Sequence, residues 1–177
     1  GSNPALIGFM TRPDKKVRRD TLNNILETNY YTINHVHQNF IEQSHKTSGK
    51  YKKEVSEFDM CNLTEDYLFD FPAPFLKESK IKMGLKLENI IDITNNQTKL
   101  ILGLIEHIYI DDVALEDNGD INLQIINDVG IGGLNKLINF KKKNYYTALM
   151  IDQRVSEGIL SNFFNEKALT TTIPAQL

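Results

Sequence analysis

A short polar stretch between His45 and Lys50 carries the groups of an anion-binding site. It brings together the imidazole of His45, the hydroxyls of Thr47 and Ser48, and the ammonium of Lys50. Gly49 lies among them and can supply the left-handed backbone that ends a helix. Hydroxyls, free backbone N–H groups and a lysine at a turn are the donors that a phosphate monoester needs. The alternative interpretation is an ordinary polar helix end.

A predicted strand and a predicted helix lead into this turn. The run from Tyr30 to Val36 is rich in β-forming residues and predicts a strand. The period then changes, and one helix face is formed by Phe40, Ile41, Ser44 and His45. This helix is predicted to end at Ser48-Gly49, so the polar groups would lie at its carboxyl end.

The residues before this stretch predict one more strand and one more helix. Residues 5–10 form a short apolar run that predicts a strand, and turn-forming residues at 11–14 end it. Asp20 or Thr21 can cap a helix that Asn29 closes. Its apolar face is predicted to be Leu22, Ile25 and Leu26.

Two long strands dominate the middle of the chain. Residues 80–94 alternate apolar side chains with lysines, residues 95–97 form a turn, and residues 98–110 form the partner strand. Both exceed the usual length of about 5–6 residues, which favours the coiled hairpins of a barrel over a flat sheet. Further on, residues 116–119 predict a turn and residues 154–167 a helix, and residues 170–177 predict a tail.

One pattern resembles the metal motif of cupins. It consists of His35, His37, Glu42 and Gly49. Alternate residues of a strand share a face, so the two histidines could reach one ion. Against this, Glu42 falls in a predicted helix, a fourth ligand would be as remote as His107, and Asn29 lies where the motif expects glycine. We therefore expect no metal site and interpret both histidines as structural or surface residues.

Composition limits the class of protein. A chain of 177 residues with 41% hydrophobic and 24% charged residues is expected to form one domain with its own core. The net charge of −3 shows none of the excess positive charge expected of a nucleic-acid-binding protein. No apolar run reaches the roughly 20 residues that span a bilayer. A single cysteine, Cys61, fits the reducing cytoplasm. No nucleophile motif, P-loop or acid–base pair is present in the sequence, so no catalytic residue is assigned.

Four blocks of the sequence together resemble the flavin reductase-like family, the FMN-binding split-barrel proteins related to flavoredoxin. The blocks are NPALIGFMTRP, RRDTLNNILETNYYTINHV, HKTSGKYKKEVSEFD and APFLKES. The resemblance runs from about Asn3 to Tyr146 within one predicted domain of residues 1–177, and residues 147–177 stay unassigned. It implies a mainly β fold with flanking helices, built as a Greek-key-like antiparallel barrel. Members carry further strands before the first block, so we expect the N-terminal strands to be missing here.

The same resemblance implies a cofactor and the residues that hold it. In such proteins FMN is bound through its phosphate, and the matching positions are Arg12, Thr21, Thr47, Ser48 and Lys50. Asn34, His45 and Arg19 are weaker candidates. The residues that contact the isoalloxazine ring are not assigned.

The implied function is that of an FMN-binding flavoprotein oxidoreductase of the flavin reductase type. It would transfer reducing equivalents from a nicotinamide nucleotide, NADH or NADPH, through FMN. One alternative is a flavin-binding or structural split-barrel protein without turnover, and a minor one is the cupin-type metal protein.

The segment Tyr67–Phe75 is rich in aromatic residues and is called the aromatic segment below. It combines aromatic residues with prolines, and such residues are enriched at protein interfaces. Because the resemblance implies a homodimer with FMN near its interface, this segment is predicted to pack against the partner or over the flavin edge. The alternative is that it folds back on its own barrel.

Overall fold

The computed structural model describes residues 3–13, 20–49, 51–131, 137–139, 159–163 and 166–170. By their contacts the residues form two compact units, 1–143 and 144–177. Lys50, Arg19 and nearly all of the predicted tail lie outside the described residues.

Antiparallel strands and short helices make up the described chain, as predicted. In chain order the elements are β1 (Leu6–Thr11), α1 (Asp20–Thr28), β2 (Tyr30–Asn34), a 3₁₀ turn (Gln38–Phe40), α2 (Ile41–Lys46), α3 (Glu57–Cys61), β3 (Glu65–Asp66), β4 (Phe75–Leu76), β5 (Ile81–Ile93), β6 (Thr98–Ile110), a second 3₁₀ turn (Asp112–Ala114), β7 (Val129–Ile131), β8 (Leu137–Asn139), β9 (Ile159–Phe163) and β10 (Glu166–Thr170). No described helix is long and apolar enough to cross a bilayer.

The main sheet has four strands in the order β1-β6-β5-β2, all antiparallel. Its centre is the long hairpin of β5 and β6, and both strands occupy nearly the predicted residues. The main core lies on one face of this sheet and consists of Leu22, Ile25, Tyr31, Leu85 and Ile101. Gly103 is required beneath Tyr31, because a Cβ atom there would lie 2.2 Å from the tyrosine hydroxyl.

Helix α1 shows how few apolar residues a short helix buries. Leu22 and Ile25 are buried, and Asn29 closes the helix with φ +63° and a backbone hydrogen bond to Ile25 O of 2.8 Å. The prediction that Leu26 shares this buried face is wrong, since its side chain is 53% exposed. A nine-residue helix needs only the pair at positions i and i+3 to anchor it on the sheet.

The alternation of apolar residues and lysines along β5 does not leave Lys82 in solvent, because this lysine is buried. Its ammonium lies 3.3 Å from Asp66 Oδ2 and 3.4 Å from Lys77 O, and 5.0 Å from the centre of the Tyr109 ring. The neighbouring segment therefore covers this strand and supplies a counter-charge. Bulges between Gly84 and Leu85, and between residues 87 and 89, also break the alternation that the sequence suggests.

The predicted helix at residues 154–167 is wrong where the structure describes it, because residues 159–163 of β9 pair with β10 as antiparallel strands. Residues 154–158, 164 and 165 lie outside the described residues. A short apolar run does not distinguish a helix face from a strand. Here the pairing of residues 159–163 with residues 166–170 supplies the backbone partners.

The aromatic segment Tyr67–Phe75 folds back on its own chain through part of its length. Phe71, Ala73 and Phe75 are buried and form a second core cluster. The hydroxyl of Thr32 on β2 donates to Pro74 O over 2.7 Å and so ties the segment to the sheet. Tyr67 and Phe69 remain exposed. The alternative prediction, that this segment folds back on its own chain, is therefore confirmed for the buried residues Phe71, Ala73 and Phe75.

Candidate functional site

A cleft of about 170 Å³ opens where the end of β1 meets the start of α1. Its lining residues are Phe9, Thr11, Arg12, Thr21 and Leu22. The structure thus brings together Arg12 and Thr21, two of the predicted site residues, although nine positions separate them in the chain.

The alternation of side chains along β1 determines which of its residues line this cleft. Ile7 and Phe9 pack on the core side of the sheet, and Thr11 follows in the same alternation and is buried. Arg12 comes directly after the strand and is exposed. Thr11 was not among the predicted site residues, but its place in the alternation with Ile7 and Phe9 would have indicated it.

The chemistry of the cleft suits a phosphate group. The guanidinium of Arg12 is always charged and can donate two parallel hydrogen bonds to phosphate oxygens. Among the described residues it makes no hydrogen bond or ion pair, so it is available to a ligand. The hydroxyls of Thr11 and Thr21 add donors, and Phe9 supplies an apolar wall. The residues present therefore fit the phosphate end of a flavin nucleotide.

The turn after α2 is built as predicted, but its hydroxyls are engaged in the helix end. Thr47 Oγ1 donates to Ser44 O over 2.8 Å, and Ser48 Oγ donates to His45 O over 2.7 Å. A phosphate bound here would take these hydrogens from two helix carbonyls. In the described part of the chain, no hydrogen bond joins Thr47 or Ser48 to the cleft.

Contacts through α3 connect the region of this turn with the start of α1. Tyr51 donates from its hydroxyl to Lys46 O over 3.0 Å and lies 3.6 Å from Cys61 Sγ on α3. Glu57, at the start of α3, is an exposed residue whose carboxyl is partly shielded from water; this partial burial disfavours its charge and raises its pKa, and the nearby carboxylate of Asp20 raises it further. The starts of α3 and α1 are therefore neighbours, and the cleft residue Thr21 follows Asp20 directly.

The raised pKa of Glu57 gives a pH-dependent prediction. Because the folded protein binds the proton of Glu57 more tightly than the unfolded chain does, protonation of Glu57 stabilises the fold. This stabilisation is complete below the ordinary glutamate pKa of 4.5 and is lost as pH rises through the higher pKa of the folded state. We expect Glu57→Gln to unfold at a higher denaturant concentration than wild type at pH 7, with the difference fading towards pH 4. Glu54→Gln is the control, because it removes the same charge from another exposed glutamate three residues earlier. A Glu57→Gln variant less stable at pH 7 would contradict this.

Two weaker candidates have different surroundings. Asn34 donates from Nδ2 to Thr32 Oγ1 over 2.9 Å, and its Oδ1 accepts from Leu76 N over 3.0 Å. Its amide therefore fastens β4 to β2. His45 is exposed, and within the described residues its ring has no hydrogen-bond partner.

The two histidines of the cupin-like pattern contact protein acceptors. His35 Nδ1 lies 2.8 Å from Asp128 Oδ2, and His37 Nε2 lies 2.6 Å from Glu78 O. They join the residues after β2 to two separate segments. Where the structure describes the chain, no three His, Cys, Asp or Glu residues are placed to hold a metal ion.

Solved structures with a similar fold define the class of protein. One is a protein from Shewanella frigidimarina NCIMB 400 that has a split barrel domain and is assigned as a flavin reductase. It is 41% identical, the alignment covers 83% of this chain and 72% of that one, and the TM-score is 0.75. Flavoredoxin of Desulfovibrio vulgaris (Miyazaki F) has the same fold at 21% identity, with 82% and 75% covered and a TM-score of 0.66. The fold is thus that of the split-barrel flavoproteins.

The sequence itself places the chain in a family. A family model described as the flavin reductase like domain matches residues 1–130. An uncharacterised protein of Aquifex aeolicus (strain VF5) is 27% identical over 131 residues, and the chain spans 66% of that relative's length. The chain belongs to the flavin reductase-like family, a family of flavin-dependent oxidoreductases.

Proposed function

We propose that this protein is a flavin reductase-like enzyme that holds FMN by its phosphate and passes reducing equivalents from NADH or NADPH through it. The observation that carries the proposal is the cleft, where Arg12 meets two threonine hydroxyls beside an apolar wall. We also place the protein in the cytoplasm, where a thiol such as that of the buried Cys61 stays reduced.

In this proposal the phosphate of FMN is held by donors from the cleft and from the turn after α2. Arg12 supplies the charge-assisted hydrogen bonds and Thr21 a neutral one. The turn at Thr47 and Ser48, followed by Lys50, contributes a second set of donors once its hydroxyls release the carbonyls at the end of α2. Asn34, at the end of β2, and His45, in the last turn of α2, are secondary candidates. Because the phosphate would be held by donors from α1 and from the turn, binding would also fix these elements relative to one another.

The bound FMN would supply the redox chemistry by accepting a hydride from the nicotinamide nucleotide. The chain binds the phosphate, and so fixes the position from which the flavin ring extends. Among the described residues, the lining of the cleft has no carboxylate, histidine or thiol that could exchange a proton with the flavin, so we assign these residues the role of binding and orienting it.

Anaerobic reduction tests this function. FMN-loaded protein should lose its absorption in the blue when NADH or NADPH is added, and air should restore it. Protein that binds FMN but is reduced by neither nucleotide would support the alternative of a flavin-binding protein without turnover.

We further propose that the protein is a two-fold homodimer. The face of β1 and β6 opposite the core is also apolar, because Leu6 pairs with Leu104, Gly8 with Leu102 and Met10 with Leu100. Leu6 and Met10 are 46% and 49% exposed. Strands that are apolar on both faces are typical of sheets covered on both sides, and a second copy of the chain would cover this one.

A charge on this face should disrupt the dimer. We expect light scattering to show a dimer for wild type at micromolar concentration and a monomer for Met10→Lys, because a lysine there would be buried without a partner. Leu26→Lys adds the same charge at an exposed site on α1 and should remain dimeric. A monomeric wild type would refute the dimer, and a dimeric Met10→Lys would place the interface elsewhere.

A further inference from the structure

The loop of residues 111–128, called the acidic loop below, concentrates negative charge at one end of the main sheet. Its carboxylates belong to Asp111, Asp112, Glu116, Asp117, Asp120 and Asp128, and it contains no lysine, arginine or histidine. The acidic loop therefore has a formal charge of −6, twice the net charge of −3 of the whole chain. Asp128 is buried against His35, and the other five carboxylates form no ion pair among the described residues.

Four large apolar side chains of the acidic loop are exposed. They are Val113, Leu115, Ile121 and Ile125, with exposed fractions of 57%, 50%, 43% and 56%. Leu115 and Ile121 lie opposite each other in an antiparallel bridge, so their side chains are neighbours on one face of the loop. Neighbouring apolar side chains with a polar rim mark interaction sites, whereas singly scattered ones do not.

The acidic loop is held in place by other residues than these four. Ala114 and Ile126 are buried against Ile81 of β5. The backbone N–H of Asn122 donates to Ala114 O over 2.8 Å, and Asn122 Oδ1 accepts from Ile125 N over 3.1 Å. The surface is therefore formed before any partner binds, and its exposed side chains are not needed to fold the loop.

The charge and the apolar side chains together select the kind of partner. Carboxylates repel the phosphates of nucleic acids and of anionic lipids. A metal ion would make no use of the apolar side chains, and in the described chain no three His, Cys, Asp or Glu residues are placed to hold one. A protein surface with apolar residues inside a basic rim satisfies both features, because opposite charges steer the surfaces together and the apolar centre excludes water.

We propose that the acidic loop docks a partner protein whose contact surface presents apolar side chains ringed by lysine or arginine. The loop packs on Ile81 and Ile110, at the last residue of β6. The cleft lies beyond Thr11, which pairs with Lys99 near the first residue of β6. Docking therefore uses residues separate from those of the cleft, and changes in the acidic loop should leave the affinity for FMN unchanged.

A synthetic amphipathic helical peptide of leucine and lysine tests the surface, and the same peptide with glutamate in place of lysine is its control. Fluorescence anisotropy of the labelled peptides is followed on titration with the full chain. Wild type should bind only the lysine peptide, and more weakly as salt is added. Leu115→Ser should weaken binding roughly 10- to 150-fold, because the burial of one leucine side chain is lost. Ile91→Ser, at an exposed apolar residue of β5, should bind like wild type.

Glu116→Gln combined with Asp117→Asn tests the charge. Glu116 Oε1 accepts from Asn122 Nδ2, and the amide oxygen of glutamine can accept the same hydrogen bond, so the loop should keep its structure. The affinity for the lysine peptide should fall roughly 2- to 30-fold and depend less on salt. This variant decides the test alone if Leu115→Ser does not fold.

Equal affinity of wild type for the two peptides would overturn the inference, as would equal affinities of Leu115→Ser and Ile91→Ser for the lysine peptide. Light scattering that shows a smaller oligomer for Leu115→Ser than for wild type would assign the surface to a second copy of the chain. Tighter binding of the lysine peptide after glutamine replaces Lys141, Lys142 and Lys143 would assign it to the basic run of the same chain. Either result would also overturn the inference.

Discussion

Replacing Arg12 by alanine is expected to weaken FMN binding roughly 10- to 150-fold, because hydrogen bonds from a charged donor contribute about 1.5–3 kcal/mol each. Arg12 is exposed at the mouth of the cleft and forms no ion pair within the described residues, so its removal should leave the fold intact. Fluorescence quenching of FMN on titration with protein measures the change. Riboflavin, which lacks the phosphate, should bind wild type and Arg12→Ala with similar affinity.

Lys86→Ala is the control, because it removes an exposed positive charge from β5 without touching the cleft. Its affinity for FMN should equal that of wild type. A smaller loss is expected for Ser48→Ala, since a neutral hydrogen bond contributes only about 0.5–1.5 kcal/mol and Ser48 gives up a helix contact to make it. If Arg12→Ala and Lys86→Ala bind FMN equally well, the cleft is not the phosphate site.

Phe75→Ala is expected to lower the free energy of unfolding by about 3–5 kcal/mol, as is typical when a buried phenyl ring is removed. Phe75 is fully buried, its ring lies 5.5 Å from that of Phe71, and Gly84 leaves the space that both rings fill. Truncation would leave a cavity between the aromatic segment and the sheet. Urea denaturation followed by circular dichroism gives the measurement.

Phe69→Ala provides the comparison, because it removes the same ring from an exposed position of the same segment. Phe69→Ala should lower the free energy of unfolding by only about 0.5–1.5 kcal/mol, the contribution of one aromatic pair. A smaller residue at this left-handed position should offset part of the loss. Equal losses for Phe69→Ala and Phe75→Ala would show that the segment does not pack as described.

The long hairpin was predictable because its signals are local. Residues 98–110 are flanked by turn-forming residues and their length alone indicates a strand, so the predicted and observed bounds of β6 agree. The extent of β5 was also predictable, but which of its side chains are buried was not. Lys82 is buried because Asp66, 16 residues earlier in the chain, lies beside its ammonium. The sequence of β5 alone does not indicate this partner.

The candidate site was predictable in part. Residue types and the resemblance indicated Arg12 and Thr21, and the structure places both in one cleft. The pattern could not reveal that Thr47 and Ser48 already donate to the end of their own helix, because a hydroxyl at a turn serves a ligand or a carbonyl equally well. Asn34 is a similar case, since its acceptor contact is with Leu76, 42 residues away.

Parallel titration of the flavin-free protein with FMN and with riboflavin tests the central claim most directly. The two ligands share the isoalloxazine ring and differ in the phosphate, so the ratio of their affinities reports the phosphate site alone. The cleft around Arg12 predicts that FMN binds at least about 10-fold more tightly, the value of a single charge-assisted hydrogen bond. Equal affinity for FMN and riboflavin would contradict it.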